Sequence, residues 1–180
     1  MFERFTTGAR EAVVDAQRVA VESGAKQIDP MHLLAVVAVT PSGRTLLGGL
    51  GVVPEDLASE VNRIRRRGGM SDADAEALSE FGIDVEQIIA KVEQMHGPGA
   101  LSPPHGRLTR RDRRSRLPFA RESKKTLEKT LHEALAMGDK HIGEEHMLLA
   151  LAALPGPASD VLAQRDVTYL ALRQALTKAS

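Results

Sequence analysis

An all-α fold is expected from three features of this 180-residue chain. Apolar residues recur at helical spacing in one segment after another. No run of Val, Ile or Thr alternates between hairpin turns as a half-buried strand would. The stretch Gly24 to Val37, GAKQIDPMHLLAVV, returns as Gly138 to Leu151, GDKHIGEEHMLLAL, and the gapless match pairs Gly24 with Gly138, Ile28 with Ile142, His32 with His146 and Leu34 with Leu148. The chain therefore reads as two pseudo-twofold related repeats of about four helices each, with extra helices and a linker between them.

In order, Ala9, Ala12, Val13, Ala16 and Ala20 lie at helical spacing after a threonine N-cap at Thr6 or Thr7, and Gly24 stops that helix. Asp29-Pro30 reads as an N-cap followed by proline at the first helical position, where a missing N–H costs nothing. The helix from Met31 to Val39 is almost wholly apolar and so central. Thr40-Pro41-Ser42 breaks it, and a short helix is expected around Arg44 to Leu50. Pro54 opens the next, with Leu57, Val61 and Ile64 on one face and Arg63, Arg65, Arg66 and Arg67 at its end, where cations suit the helix dipole. Ser71 and Asp84 then cap two further helices. Their junction, Phe81-Gly82-Ile83, echoes Leu50-Gly51-Val52 before the Leu57 helix and suggests a duplicated half-element.

From Gly97 to Pro118 the periodicity fails, as Pro103-Pro104 and several glycines require of an exposed linker. Six arginines from Arg107 to Arg116 stand there against Asp112. The second copy begins at Phe119, in register with Phe5 at an offset of 114; a one-residue slip later matches Val52 to Val167, Leu57 to Leu172 and Val61 to Leu176. The expected organisation is repeat one over residues 1–67, a helical insertion over 68–96, an Arg/Pro/Gly-rich linker over 97–118 and repeat two over 119–180.

Composition excludes several function classes. Lys plus Arg equals Asp plus Glu at 24 each, so the chain is not a globally basic nucleic-acid binder. Without cysteine there is no thiolate chemistry or disulfide. The first residues, MFERFT, lack the charged and then apolar regions of a signal peptide, and no apolar run reaches the ~20 residues of a membrane span; a cytoplasmic location is expected. Gly138 to Gly143 has the glycine spacing of a P-loop, but Glu144-Glu145 follow where Lys and Ser or Thr are required, and two carboxylates would repel a nucleotide.

MFERFT at the start, FxxxxKKxLE over Phe119 to Glu128 and two copies of G-x-x-x-I-x-x-x-H-[LM]-L together resemble the N-terminal double repeat of the Clp chaperones, the ClpA and ClpC class of AAA+ unfoldases. The likeness covers Phe2 to about Arg67 and Phe119 to about Lys178. It implies an appendage that docks substrates and adaptors for an ATPase ring, present here as a stand-alone module without that ring.

His32 and His146 sit near the starts of equivalent helices. With no HExxH motif or close ligand pair, they read as structural imidazoles bonded to backbone, and no metal or cofactor is expected. The resemblance implies two candidate sites. Some ClpC proteins carry glutamate before each histidine and use it to hold phosphorylated arginine, a carboxylate taking the guanidinium and helix N-terminal amides the phosphate. Here repeat one has Met31 at that position, and repeat two keeps Glu145 behind an additional Glu144; the alternative is that both glutamates only favour the helix N-terminus. Phe2, Val13, Phe119, Lys124 and Glu128 match positions lining a groove near the pseudo-twofold axis that takes hydrophobic partners and cyclic peptides, although the phenylalanines read equally as core and Lys124 with Glu128 as a solvated i,i+4 pair.

The expected function is thus a non-enzymatic module binding substrates, adaptors or peptides and modulating a ClpC-like ATPase and its protease, with no membrane partner. The alternative is a nucleic-acid-binding accessory protein using the Arg-rich linker. Aromatic residues for base stacking are missing from that stretch, which disfavours nucleic acid.

Overall fold

Thr6 opens the first helix: its Oγ1 accepts from the Ala9 amide at 3.1 Å, and α1 runs Thr7–Glu22 to a left-handed Gly24. In this computed structural model the described residues are 2–97, 100–101 and 117–179, excluding the side chains of Phe2 and Ala179. The arginine-rich stretch 107–116 lies outside them. The expected first repeat continues with α2 (Pro30–Val37), α3 (Pro41–Gly49) and α4 (Pro54–Arg66), and the stretch expected as an insertion forms α5 (Asp72–Glu80) and α6 (Val85–His96). Repeat two is α7 (Arg121–Met137), α8 (Glu144–Ala153), α9 (Pro157–Ala163) and α10 (Tyr169–Ala179). The described residues form no β-strand, only two isolated backbone bridges.

Those bridges define the architecture. Phe5 pairs with Ile142 and Phe119 with Ile28, and the two pairings exchange under the repeat offset. The Thr6 amide donates to the Ile142 carbonyl at 2.9 Å and the Ile142 amide to Arg4 at 2.8 Å; correspondingly, Ala120 donates to Ile28 at 2.9 Å and Ile28 to Pro118 at 2.9 Å. Each repeat lends its opening segment to its twin, as two subunits do across an isologous interface.

The core follows the same symmetry. Helices α2 and α8, buried on nearly every side, pack on each other at the centre; α1 and α4 cover α2, α7 and α10 cover α8, and α3 reaches α8 as α9 reaches α2. Apolar residues all around a helix demand a central position. Small side chains, Ala9, Ala12, Ala16 and Ala20, line the buried face of α1 and permit close approach.

Three local features depart from the sequence reading. The third helix starts at Pro41, because Thr40 caps it through the Gly43 amide at 3.1 Å. Leu117, assigned to the linker, is buried in the core. Arg65, expected at the helix end for its fit to the dipole, also turns inward: its Nη2 meets Ser23 Oγ at 3.1 Å and His32 Nε2. Its neighbours Arg63 and Arg66 are exposed and Arg67 is half-buried; they pair with Asp72, Glu93 and Glu86 of residues 71–96.

Candidate functional site

Both histidines close the start of a central helix. The Asp29 amide donates to His32 Nδ1 at 3.1 Å and the Gly143 amide to His146 Nδ1 at 3.0 Å, so a neutral imidazole at the third helical position satisfies the N-cap N–H in each repeat, whereas a protonated His146 would donate from Nδ1 to Glu145 instead. Among the described residues no cluster of three or more His, Asp and Glu is arranged to hold a metal. His32 lies between a carboxylate and a cation: its Nδ1 is 2.7 Å from Asp29 Oδ1 and its Nε2 meets Arg65. His146 instead lies 3.0 Å from Asp139 Oδ2 and 3.1 Å from Glu145 Oε1. Burial opposes its protonation, but the Glu145 and Asp139 carboxylates outweigh burial and hold its pKa above the ordinary histidine value.

Glu145 is folded back over its own helix start, against Gly143: a Cβ at that glycine would meet its Oε1 at 2.0 Å. Burial pushes its carboxyl upward, yet the hydrogen bond to His146 and its own amide win and hold it below the usual glutamate range. Its neighbour Glu144 is buried and crosses to the other repeat. There Thr6 Oγ1 donates to Glu144 Oε2 at 3.4 Å, and a Cβ on Gly8 would lie 2.2 Å from Oε1. The positive end of α1 is thus covered by a carboxylate of repeat two.

Of the candidate groove residues, Val13 lies in the core, Phe119 is half-buried against it, and Lys124 with Glu128 is exposed on α7. The Phe2 side chain falls outside the described residues. A cavity of about 180 Å³ lies elsewhere: apolar Pro30, Leu151, Leu154 and Pro157 line it together with Glu122 and Lys125 of α7. Lys125 projects about 100° around the helix from Lys124, so cavity and groove residues occupy different faces of α7.

A reciprocal two-repeat bundle with a histidine capping each central helix is what a family comparison can decide. The family model described as the Clp repeat (R) N-terminal domain matches residues 4–74 and 69–165. The chain belongs to that family. It is similar to an uncharacterised protein of Mycobacterium tuberculosis, 31% identical over 153 residues, covering 85% of this chain and 44% of the relative. It also resembles the ATP-dependent Clp protease ATP-binding subunit ClpC of Staphylococcus aureus, 26% identical over 99% of this chain and 17% of that protein. The chain therefore spans less than half the length of these relatives. In fold it matches the N-terminal domain of the chaperone ClpD from Arabidopsis thaliana, at a TM-score of 0.61 and 21% identity, covering 99% of this chain and 96% of that one.

Within this Clp repeat pair, the cavity was not among the residues singled out from sequence. Its origin is an asymmetry between the copies. In repeat one α3 begins at Pro41 with Gly43 pressed on the Val37 carbonyl, where a Cβ would come within 1.9 Å. The counterpart Leu154-Pro155-Gly156 stays non-helical and delays α9 to Pro157, which leaves the cavity open. Proline at both 155 and 157, against Pro41 and Gly43, is the signal in the sequence.

Proposed function

We propose that this chain is a non-catalytic docking module that binds protein substrates, adaptors or short hydrophobic peptides and thereby modulates a cytoplasmic Clp ATPase and its protease. The observation supporting this reading is the Clp double repeat itself, matched over most of the chain and closed by its reciprocal backbone pairs. The proposed peptide-binding positions are Phe2, Val13, Phe119, Lys124 and Glu128, in which exposed Lys124 and Glu128 supply one cation and one carboxylate to orient a ligand and buried Val13 backs the half-buried Phe119 from the core. Glu145 is the proposed contact for the guanidinium of a phosphoarginine, which must displace the carboxylate from His146. Among the described residues no single helix is long and apolar enough to cross a membrane.

The test adds the purified chain to a ClpC-type ATPase with its protease degrading an unfolded model protein. The degradation rate changes, and a Lys124→Ala/Glu128→Ala variant shows a reduced effect. An unchanged rate, together with no co-elution of the chain with either the ATPase or the unfolded substrate, overturns the reading.

A further inference from the structure

The echo at Phe81-Gly82-Ile83 is a repeated backbone motif. Between α3 and α4, Gly51 adopts φ +78, its amide donates to Gly48 at 3.0 Å, and the Val52 amide donates to Leu47 at 2.9 Å. Between α5 and α6, 31 residues on, Gly82 adopts φ +76, its amide donates to Ser79 at 2.9 Å, and the Ile83 amide donates to Leu78 at 3.0 Å. Repeat two closes identically at Asp166, φ +59, with Val167 donating to Leu162 at 2.9 Å. The same left-handed close also ends α1, α4 and α7, so it is the register at an offset of 31, Leu50-Gly51-Val52 against Phe81-Gly82-Ile83 and Leu57 against Ile88, that likens the α5–α6 hairpin to α3–α4.

What differs is the cover. Val52, Leu57, Val61 and Ile64 are buried, with α4 on α2; Val167 and Leu172 are buried, with α10 on α8. The register-equivalent residues of the hairpin are Ile83, Ile88, Val92 and Met95, and three of them are exposed by 40%, 47% and 76% (Ile83, Ile88, Met95). Phe81, in the place of half-buried Leu50, is 82% exposed. Seven residues apart, Ile88 and Met95 share one line along α6. That helix turns Val85 and Ile89 inward instead, and α5 buries no residue. Both other copies cover this face with an apolar helix, α2 or α8.

Charge selects the occupant. Residues 71–96 carry seven carboxylates and a single lysine, Lys91. Three of the seven are paired with Arg63, Arg66 and Arg67, while Glu76 and Glu80 of α5 are exposed, Glu80 directly before Phe81 in the chain. A second copy of the hairpin would bring like charges together, whereas a helix with basic flanks would complement them. We propose that the α5–α6 hairpin docks an amphipathic helix of another protein, its apolar stripe taking the place that α2 and α8 hold in the other copies and its flanks rich in Lys and Arg. This surface is separate from the groove and the cavity, and it does not depend on the Clp reading.

The probe is a fluorescein-labelled synthetic helix with Leu and Ala at i, i+3, i+4 and i+7 and Lys elsewhere, titrated with the full chain by anisotropy. Binding saturates, and it weakens by roughly tenfold or more, the scale of losing an interface hot spot, in a Phe81→Ser/Ile88→Ser/Met95→Ser variant with unchanged circular dichroism and Tm. The same helix with Glu in place of Lys binds more weakly. Equal binding by the triple variant or by the Glu-flanked helix overturns the proposal, as does an absence of saturation. Concentration-dependent self-association in sedimentation velocity, abolished by the triple substitution, would overturn it in favour of a second copy.

Discussion

His32 and His146 perform the same helix-closing task, but His32 Nε2 meets Arg65 where His146 Nε2 meets Asp139, and the difference is measurable. His146 has a folded-state pKa above the unfolded value of ~6.5. The stability it contributes is therefore fully present below about pH 6.5 and is lost as pH rises through the folded pKa. Replacing Asp139 by Asn should lower Tm more at pH 5.5 than at pH 8.5; an equal loss at both would show that Asp139 acts without the imidazolium. A second residue-scale prediction concerns Gly8, whose missing Cβ makes room for Glu144. In a Glu144→Ala background, Gly8→Ala should stabilise by up to about 1 kcal/mol, the helix preference of Ala over Gly. In the wild-type background the displaced carboxylate offsets that gain, so a double-mutant cycle in urea should report clear coupling. Additive effects would mean that Glu144 moves aside freely.

At the scale of elements, the caps were legible before any coordinates, because a cap is a local hydrogen bond between a side chain and an amide two or three residues away. Thr6, Asp29, Ser71 and Asp84 all cap as their positions in the sequence suggest. Burial was less legible for the insertion. The i, i+3, i+4, i+7 pattern of α6 marks Val85, Ile88, Ile89 and Val92 alike, yet only Val85 and Ile89 are buried. Ion pairs from Arg63 and Arg67 to Asp72 hold this hairpin, together with few apolar contacts, and exposed pairs are worth little. Hydrogen exchange should therefore be orders of magnitude faster at the amides of α5 than at those of α2 and α8. Equal protection would mean that the hairpin unfolds only with the whole molecule.

For the whole molecule, the reciprocal bridges make each repeat incomplete alone. A fragment of residues 117–180 lacks Arg4 and Thr6 as backbone partners of Ile142 and exposes the face of α8 that α2 covers. It should show no cooperative thermal transition by circular dichroism, and adding a fragment of residues 1–96 should restore one. Cooperative unfolding of the fragment by itself would make the repeats separate domains. The inter-repeat ion pair of Arg165 with buried Glu60, at 2.6 Å, joins the same interface.

By itself the sequence determined the helices, their caps, the duplication and the family, because periodicity, capping and repetition are recorded in neighbouring residues. It named Glu145 and the groove residues only through resemblance. The tertiary structure alone decided that Arg65 turns inward to His32, that Glu144 covers the start of α1, and that Leu154-Pro155-Gly156 holds a cavity open. It also left the face of Ile88 and Met95 uncovered. Each of these outcomes depends on a partner far away in sequence, or on the lack of one, and no local pattern encodes which helix will lie across a given face.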